Sequence, residues 1–226
     1  MPVQKLIVAD DHPLFRTALR QALSQAIDNC DIYEAEDMES LQTVVAVHSD
    51  CDLLLLDLHM PGAHGFSGLI FINGQYPDIP VIVVSANEKP EIMRRAIDYG
   101  AAGFLPKSAK GEMISTAISE VLAGEIWLPD ALREQILNSS FDVGEQKIAD
   151  AVATLTPQQF KVSTMLAAGL LNKQIAYEMN VTEATVKAHL TALFRKLGVN
   201  SRTQAVLAIS RLNLEPPGEF APESML

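Results

Sequence analysis

Short apolar runs alternate with longer stretches of helical spacing through the first 125 residues, and this alternation predicts a parallel sheet wound on both faces. Five runs read as strands: Val3 to Ala9, Asp31 to Ala35, Leu53 to Asp57, Val81 to Ser85 and Gly103 to Leu105. Helices are expected between them over His12 to Ala26, Met38 to His48, Gly65 to Gln75, Lys89 to Tyr99 and Gly111 to Ala123. Residues 130 to 153 hold one helical stretch, Asp130 to Leu137, followed by a mixed charged run, and read as a linker. Beyond it the spacing is wholly helical, with four helices: Thr156 to Ala168, Asn172 to Met179, Glu183 to Leu197 and Arg202 to Leu212. Thr156, Pro157 and Gln159 supply an N-cap, a first-turn proline and a capping-box partner, and Ser201 with Gln204 repeats the box. The proline-rich acidic segment from Glu215 onward is expected to be disordered.

Charge sharpens the division. Residues 1 to 130 carry eight basic against nineteen acidic side chains, whereas residues 154 to 213 carry seven against two. An acidic module is thus joined to a small basic one, and such asymmetry points the basic half toward a polyanion. The 48% hydrophobic content is ample for buried strands and helices, yet no apolar run is long enough to span a bilayer. The apolar stretch Leu6 to Ala9 is too brief for a secretory leader and runs straight into two aspartates, so a cytoplasmic protein without a membrane partner is expected. Cys30 and Cys51 have no metal-ligand spacing and read as free thiols.

Four of the apolar runs end in polar side chains: Asp10 with Asp11, Asp57, Ser85 and Lys107. In an open parallel sheet the ligand crevice lies beyond the carboxyl ends of the strands, so these residues converge. Three ionised carboxylates in one place require a cation, and Mg²⁺ suits oxygen ligands combined with a phosphate group. Lys107 and Ser85 suit phosphoryl oxygens, and Asp57, alone on its strand, is the natural nucleophile toward phosphorus. Each residue also has a plainer reading: aspartates as helix N-caps, Ser85 as a turn hydroxyl and Lys107 as a solvated charge.

The matching stretches Val8-Ala9-Asp10-Asp11-His12-Pro13, Leu56-Asp57-Leu58-His59-Met60-Pro61-Gly62, Val84-Ser85-Ala86 and Gly100-Ala101-Ala102-Gly103-Phe104-Leu105-Pro106-Lys107-Ser108 closely resemble bacterial two-component response regulators. The resemblance is to the NarL/FixJ group with a LuxR-type DNA-binding domain, and it continues through Leu155-Thr156-Pro157, Asn172-Lys173-Gln174-Ile175-Ala176, Thr185-Val186-Lys187-Ala188-His189 and Lys196-Leu197-Gly198-Val199. It implies an α/β, flavodoxin-like, doubly wound five-stranded parallel receiver domain over 1–125, with strand order 2-1-3-4-5. A linker over 126–153, an all-α four-helix helix-turn-helix domain over 154–213 and a tail over 214–226 complete the expected organisation. It also implies that Asp57 accepts a phosphoryl group from a sensor histidine kinase. Asp10, Asp11, Asp57 and the His59 backbone carbonyl would hold Mg²⁺, and Ser85 and Phe104 would act as switch residues. Phe104 in a strand also reads as plain core. Gln159 departs from the family's usual glutamate and loses a charge that could pair with an arginine.

The spacing of Asn172 to Leu197 is that of a helix-turn-helix, whose second helix enters the major groove. Val181, Val186, Leu190, Leu193, Phe194 and Leu197 fall on the expected core side. Lys187, Ala188 and Thr191 face base edges, and Thr182, Thr185, His189, Arg195 and Arg202 are available to phosphates. The resemblance implies a homodimer on double-stranded DNA, built through the last helix, and RNA polymerase as a further partner. Two rivals stand beside this transcription regulator. An aspartate-nucleophile phosphatase characteristically has a second aspartate where this chain has His59. A regulator acting through protein contacts alone would bind no DNA.

Overall fold

The computed structural model describes residues 3–27, 29–130, 133–138 and 143–214. Five parallel strands, β1 (Gln4–Ala9), β2 (Cys30–Ala35), β3 (Leu53–Asp57), β4 (Val81–Ser85) and β5 (Gly103–Pro106), form one sheet in the order β2-β1-β3-β4-β5. The central strands β3 and β4 are buried along their whole length, as strands covered on both faces must be. Successive side chains enter opposite layers. Leu6, Val8, Leu53, Leu55, Ile82 and Val84 pack beneath α1 (Pro13–Ala26) and α5 (Gly111–Leu122). Ile7, Leu54, Leu56, Val81 and Val83 pack beneath α2 (Met38–Val47), α3 (Ser67–Gln75) and α4 (Pro90–Asp98).

Leu54 sits fully buried on the middle strand. Close-packed surroundings relax only partly around a lost side chain, so Leu54→Ala is expected to lower the unfolding free energy by about 2–5 kcal/mol. A denaturant titration reads this as a lower midpoint with an unchanged slope. Cys30 is half-buried and Cys51 buried, both as free thiols, and burial pushes Cys51 up to about 11.

The remaining elements are helices: α6 (Arg133–Asn138), α7 (Val143–Ala153), α8 (Pro157–Ala167), α9 (Asn172–Glu178), α10 (Glu183–Leu197) and α11 (Arg202–Ser210). The Thr156 hydroxyl accepts from the Gln159 backbone N–H, and the Gln159 side chain closes the capping box. The Thr182 hydroxyl caps α10 by accepting from the Thr185 N–H, and Gly198, left-handed at φ 67°, ends it. The charged run expected as irregular linker is the helix α7, because Ile148, Ala149 and Val152 find cover against the sheet domain through α3. Val181 was expected in the core but is 36% exposed, since the turn residue Asn180 at φ 52° lifts it out ahead of α10. The segment from Glu215 onward lies outside the described residues.

Candidate functional site

The carboxyl ends of β1, β3, β4 and β5 share one edge of the sheet, and this brings Asp10, Asp57, Ser85 and Lys107 together. The Lys107 N–H donates to the Ser85 carbonyl at 2.8 Å, tying the residue after β5 to the end of β4. Carboxylate oxygens of Asp10, Asp11 and Asp57 and a ring nitrogen of His12 all lie within 4.8 Å of one another. Asp10, Asp57 and Ser85 are buried although polar.

One ammonium is shared between two carboxylates: Lys107 Nζ lies 2.7 Å from Asp10 Oδ2 and 2.9 Å from Asp57 Oδ2. Asp57 Oδ1 accepts from the His59 backbone N–H at 3.2 Å, and His59 Nδ1 stands 3.6 Å away from it. On the other side, the His12 N–H donates to Asp10 Oδ1 at 2.8 Å and His12 Nδ1 lies 2.5 Å from Asp11 Oδ1. Burial pushes the Asp57 carboxyl up, but His59 and Lys107 outweigh it and hold the group below its ordinary value. In return, Asp57 raises the His59 imidazole. Burial disfavours the Lys107 ammonium, yet Asp10 and Asp57 hold it above its ordinary range. At neutral pH Asp57 is therefore ionised and Lys107 protonated.

Asp10 Oδ2 and Asp11 Oδ1 are buried without a well-formed hydrogen bond, with Lys107 Nζ and His12 Nδ1 standing close to them. A single ammonium set against three carboxylates leaves the cluster short of positive charge, so these residues fit a divalent cation that takes oxygen ligands. A cleft of about 480 Å³, lined by Leu14, Phe15, His59 and Ala86 among others, opens beside Asp57. A larger cleft, of about 630 Å³, lies between α2, α3 and α8 and contains none of these groups. Ser85 Oγ accepts from the Asn87 N–H at 3.1 Å, and Phe104 is fully buried in the cluster that also holds Met93 and Ala96 of α4. His12 was read from the sequence only as a helix start. Its position directly after the acidic pair was the signal that it borders the cluster.

In the C-terminal helices, Val186, Leu190 and Leu193 turn inward from α10, while Lys187, Ala188, Thr191 and Arg195 are exposed. Thr185 and His189 are half-buried beside them. Thr182 is engaged as the cap, and the Thr191 hydroxyl donates to the Lys187 carbonyl at 2.9 Å. Arg202 is drawn inward: Nη2 donates to the Leu170 carbonyl at 2.5 Å, bracing α11 against the end of the α8 turn. Gln159 accepts from Lys196 Nζ at 2.7 Å, so a neutral side chain at this position still holds a cationic partner.

Residues 6–119 match the response regulator receiver domain and residues 153–209 the bacterial regulatory proteins of the luxR family. The glycerol metabolism activator of Pseudomonas putida is 39% identical over 207 residues, spanning 90% of this chain and 94% of that protein. The nitrate/nitrite response regulator protein NarL of Escherichia coli strain K12 is 33% identical over 202 residues, spanning 89% and 93%. Among solved structures, the RcsB response regulator of Salmonella typhimurium shares the fold at a TM-score of 0.56 and 24% identity, over 91% of this chain and 97% of that one. A structure of two RcsB dimers bound to two parallel DNAs aligns at a TM-score of 0.55 and 25% identity, over 92% and 98%. No helix among the described residues is long and apolar enough to cross a membrane. With a receiver that implies a kinase partner and a luxR-type domain that binds DNA, the chain belongs to the NarL-type two-component response regulators, a family of DNA-binding transcription regulators.

Proposed function

We propose that Asp57 accepts a phosphoryl group from a sensor histidine kinase, and that the modified chain pairs with a second copy on double-stranded DNA. The observation that carries this reading is a single Lys107 ammonium shared by the buried Asp10 and Asp57, with the Asp11 carboxylate crowded beside them. Asp10, Asp11, Asp57 and the His59 carbonyl would hold Mg²⁺, which when bound neutralises the crowded carboxylates and the phosphoryl oxygens. An Asp57 oxygen attacks phosphorus; the new P–O bond forms as the donor's P–N bond breaks, and the departing imidazole keeps the electron pair and takes up a proton. Lys107 then pairs with one phosphoryl oxygen and the Ser85 hydroxyl donates to another. Phe104 repacks with α4 as Ser85 moves.

In the C-terminal domain Lys187, Ala188 and Thr191 would meet base edges, with Thr182, Thr185, His189 and Arg195 near phosphates and Arg202 as a brace. The exposed apolar Leu207 on α11 supports pairing through that helix, as does the dimeric state of RcsB on DNA. Two half-sites about one helical turn apart, roughly 34–36 Å, would follow. RNA polymerase is the further partner that a cytoplasmic transcription regulator would meet.

Intact-protein mass after incubation with acetyl phosphate tests the chemistry. A single phosphoryl gain is expected with Mg²⁺ and none with excess chelator. A gain indifferent to chelation would remove the metal from the proposal, and no gain with any donor would remove the phosphoacceptor.

A further inference from the structure

The receiver and the C-terminal domain pack against each other over a built interface. An added Cβ at Gly74 of α3 would lie 2.3 Å from the Ala153 carbonyl oxygen, so only glycine allows α7 this close. Gln75 Nε2 donates to the Ala153 and Leu155 carbonyls at 3.2 and 3.3 Å, and Phe71 stacks on Phe160 of α8 with centroids 4.3 Å apart. The Phe66 N–H donates to the Leu212 carbonyl at 2.9 Å.

At the centre of one side stands Arg95 of α4. Its Nη1 donates to the Asn213 carbonyl at 2.9 Å and its Nη2 to the Arg211 carbonyl at 2.6 Å, which grips the chain as it leaves α11. Nη2 also lies 3.1 Å from Glu145 Oε2 of α7, the same oxygen that accepts from the Tyr99 hydroxyl at 2.7 Å. The guanidinium lies over the Phe66 ring at 4.7 Å. A planar five-donor fork is what such a junction requires, and lysine could not reproduce it. Arg95 is thus joined to both C-terminal segments from the helix that follows the switch strand. Ser85 Oγ accepts from Asn87 N–H, and Asn87 Oδ1 accepts from the N–H of Lys89, the cap residue of α4. Phe104 shares its buried cluster with Met93, Ala96 and Phe66.

This packing leaves the DNA-facing side uncovered. Lys187, Ala188, Thr191 and Arg195 are exposed while the domains are docked, and Leu207 is 58% exposed on α11. We propose that Arg95 is a coupling joint between the phosphorylation site and the end of α11, and that the receiver governs DNA binding through the orientation in which two copies meet rather than by masking the recognition helix. The proposal rests on the phosphorylation and pairing described above. A new charge at Asp57 draws Ser85 away from Asn87, α4 shifts, and Arg95 carries that shift into the C-terminal domain as a rigid body. Arg95 is a positioning residue, touching neither the phosphoryl group nor DNA.

The test uses the full chain with a duplex enriched by the wild type from a random-sequence pool, offered as one half-site and as both. Wild type, Arg95→Ala, Arg95→Lys and Gly74→Ala are compared with and without beryllofluoride and Mg²⁺, after thermal melting has shown each folded and intact mass has shown equal phosphoryl uptake from acetyl phosphate. Without beryllofluoride all four are expected to bind the single half-site within about twofold of one another, whereas on the paired site the wild type gains about tenfold or more with beryllofluoride and Arg95→Ala gains little. Arg95→Lys should resemble Arg95→Ala, because the two carbonyls need the fork, and Gly74→Ala should lose the gain by forcing α7 outward. If Arg95→Ala or Gly74→Ala binds the single half-site about tenfold tighter than unmodified wild type, docking masks the helix and the proposal falls. If Arg95→Ala keeps the full gain, the joint lies elsewhere. A wild type that takes up no phosphoryl group overturns the phosphoacceptor reading itself, and this proposal with it.

Discussion

With Asp57 replaced by asparagine, the chain is expected to gain no phosphoryl group from acetyl phosphate under conditions that fully modify the wild type, as read by intact mass. The amide matches the carboxylate in shape, so the change removes nucleophilic charge and little else. Asp57 lies at the end of a strand buried along its whole length, and its two oxygens are individually engaged, one by Lys107 and one by the His59 N–H. Asp10 is as buried and is engaged in the same way, by Lys107 and the His12 N–H, but it stands beside Asp11 as part of a pair suited to holding a cation, whereas Asp57 is alone at the end of its strand. The fold should not suffer. Lys107 keeps Asp10 as a partner, so the chain is expected to stay folded, with the melting temperature at neutral pH falling slightly because the Asp57 carboxylate, held below its ordinary value, contributes to stability there. A variant that still gains one phosphoryl group would move the acceptor to another aspartate.

DNA binding should be steeply salt-sensitive. Contacts to phosphates release condensed counterions, and with roughly six such contacts the affinity falls about 10³-fold between about 50 and 200 mM salt. The acidic receiver makes the local field decisive, since attraction must come from the exposed cations on and around α10 alone. Among them Lys187 is exposed early on the helix, with Val186 and Leu190 anchoring the opposite side in the core. Lys187→Ala is expected to cost about 1–3 kcal/mol if it reads a base edge, and it should then flatten preference at one position. Fluorescence anisotropy against a selected duplex measures both effects. Binding that ignores salt, together with a harmless Lys187→Ala, would favour a C-terminal domain used for protein contacts.

Local chemistry explains which parts of this architecture were readable in the sequence. Leu53–Asp57 and Val81–Ser85 are found residue for residue because an unbroken apolar run ends in a single polar side chain, a pattern that needs no knowledge of neighbours. Glu183–Leu197 is found because Thr182 and Gly198 mark both ends with their own side-chain or backbone requirements. The carboxylate cluster follows from the strand ends once parallel order is assumed. What escaped depends on partners far along the chain. Helix α7 buries Ile148, Ala149 and Val152 against a distant domain, and they are set among charges that mimic a linker. Arg202 looks like any surface cation until Leu170 offers its carbonyl, and Val181 looks apolar enough for a core that the turn carries it away from. Gly74 carries no local sign that its missing side chain is filled by another helix's backbone.

The two halves of this protein read as separable modules, each with its own family signature, yet one apolar cluster runs from Leu54 and Phe71 through Phe160 to Leu193 and Leu212. Gly65 and Gly74 of the receiver are each moulded to a carbonyl of the C-terminal half, at Leu212 and Ala153. Grafting this luxR-type half onto another receiver therefore transfers its helix-turn-helix but not its seat. Any donor with a side chain at either glycine position would hold the graft at a different angle. For this chain the fit of such a graft is set less by the carboxylate-bearing edge of the sheet than by two positions where the receiver has no side chain at all.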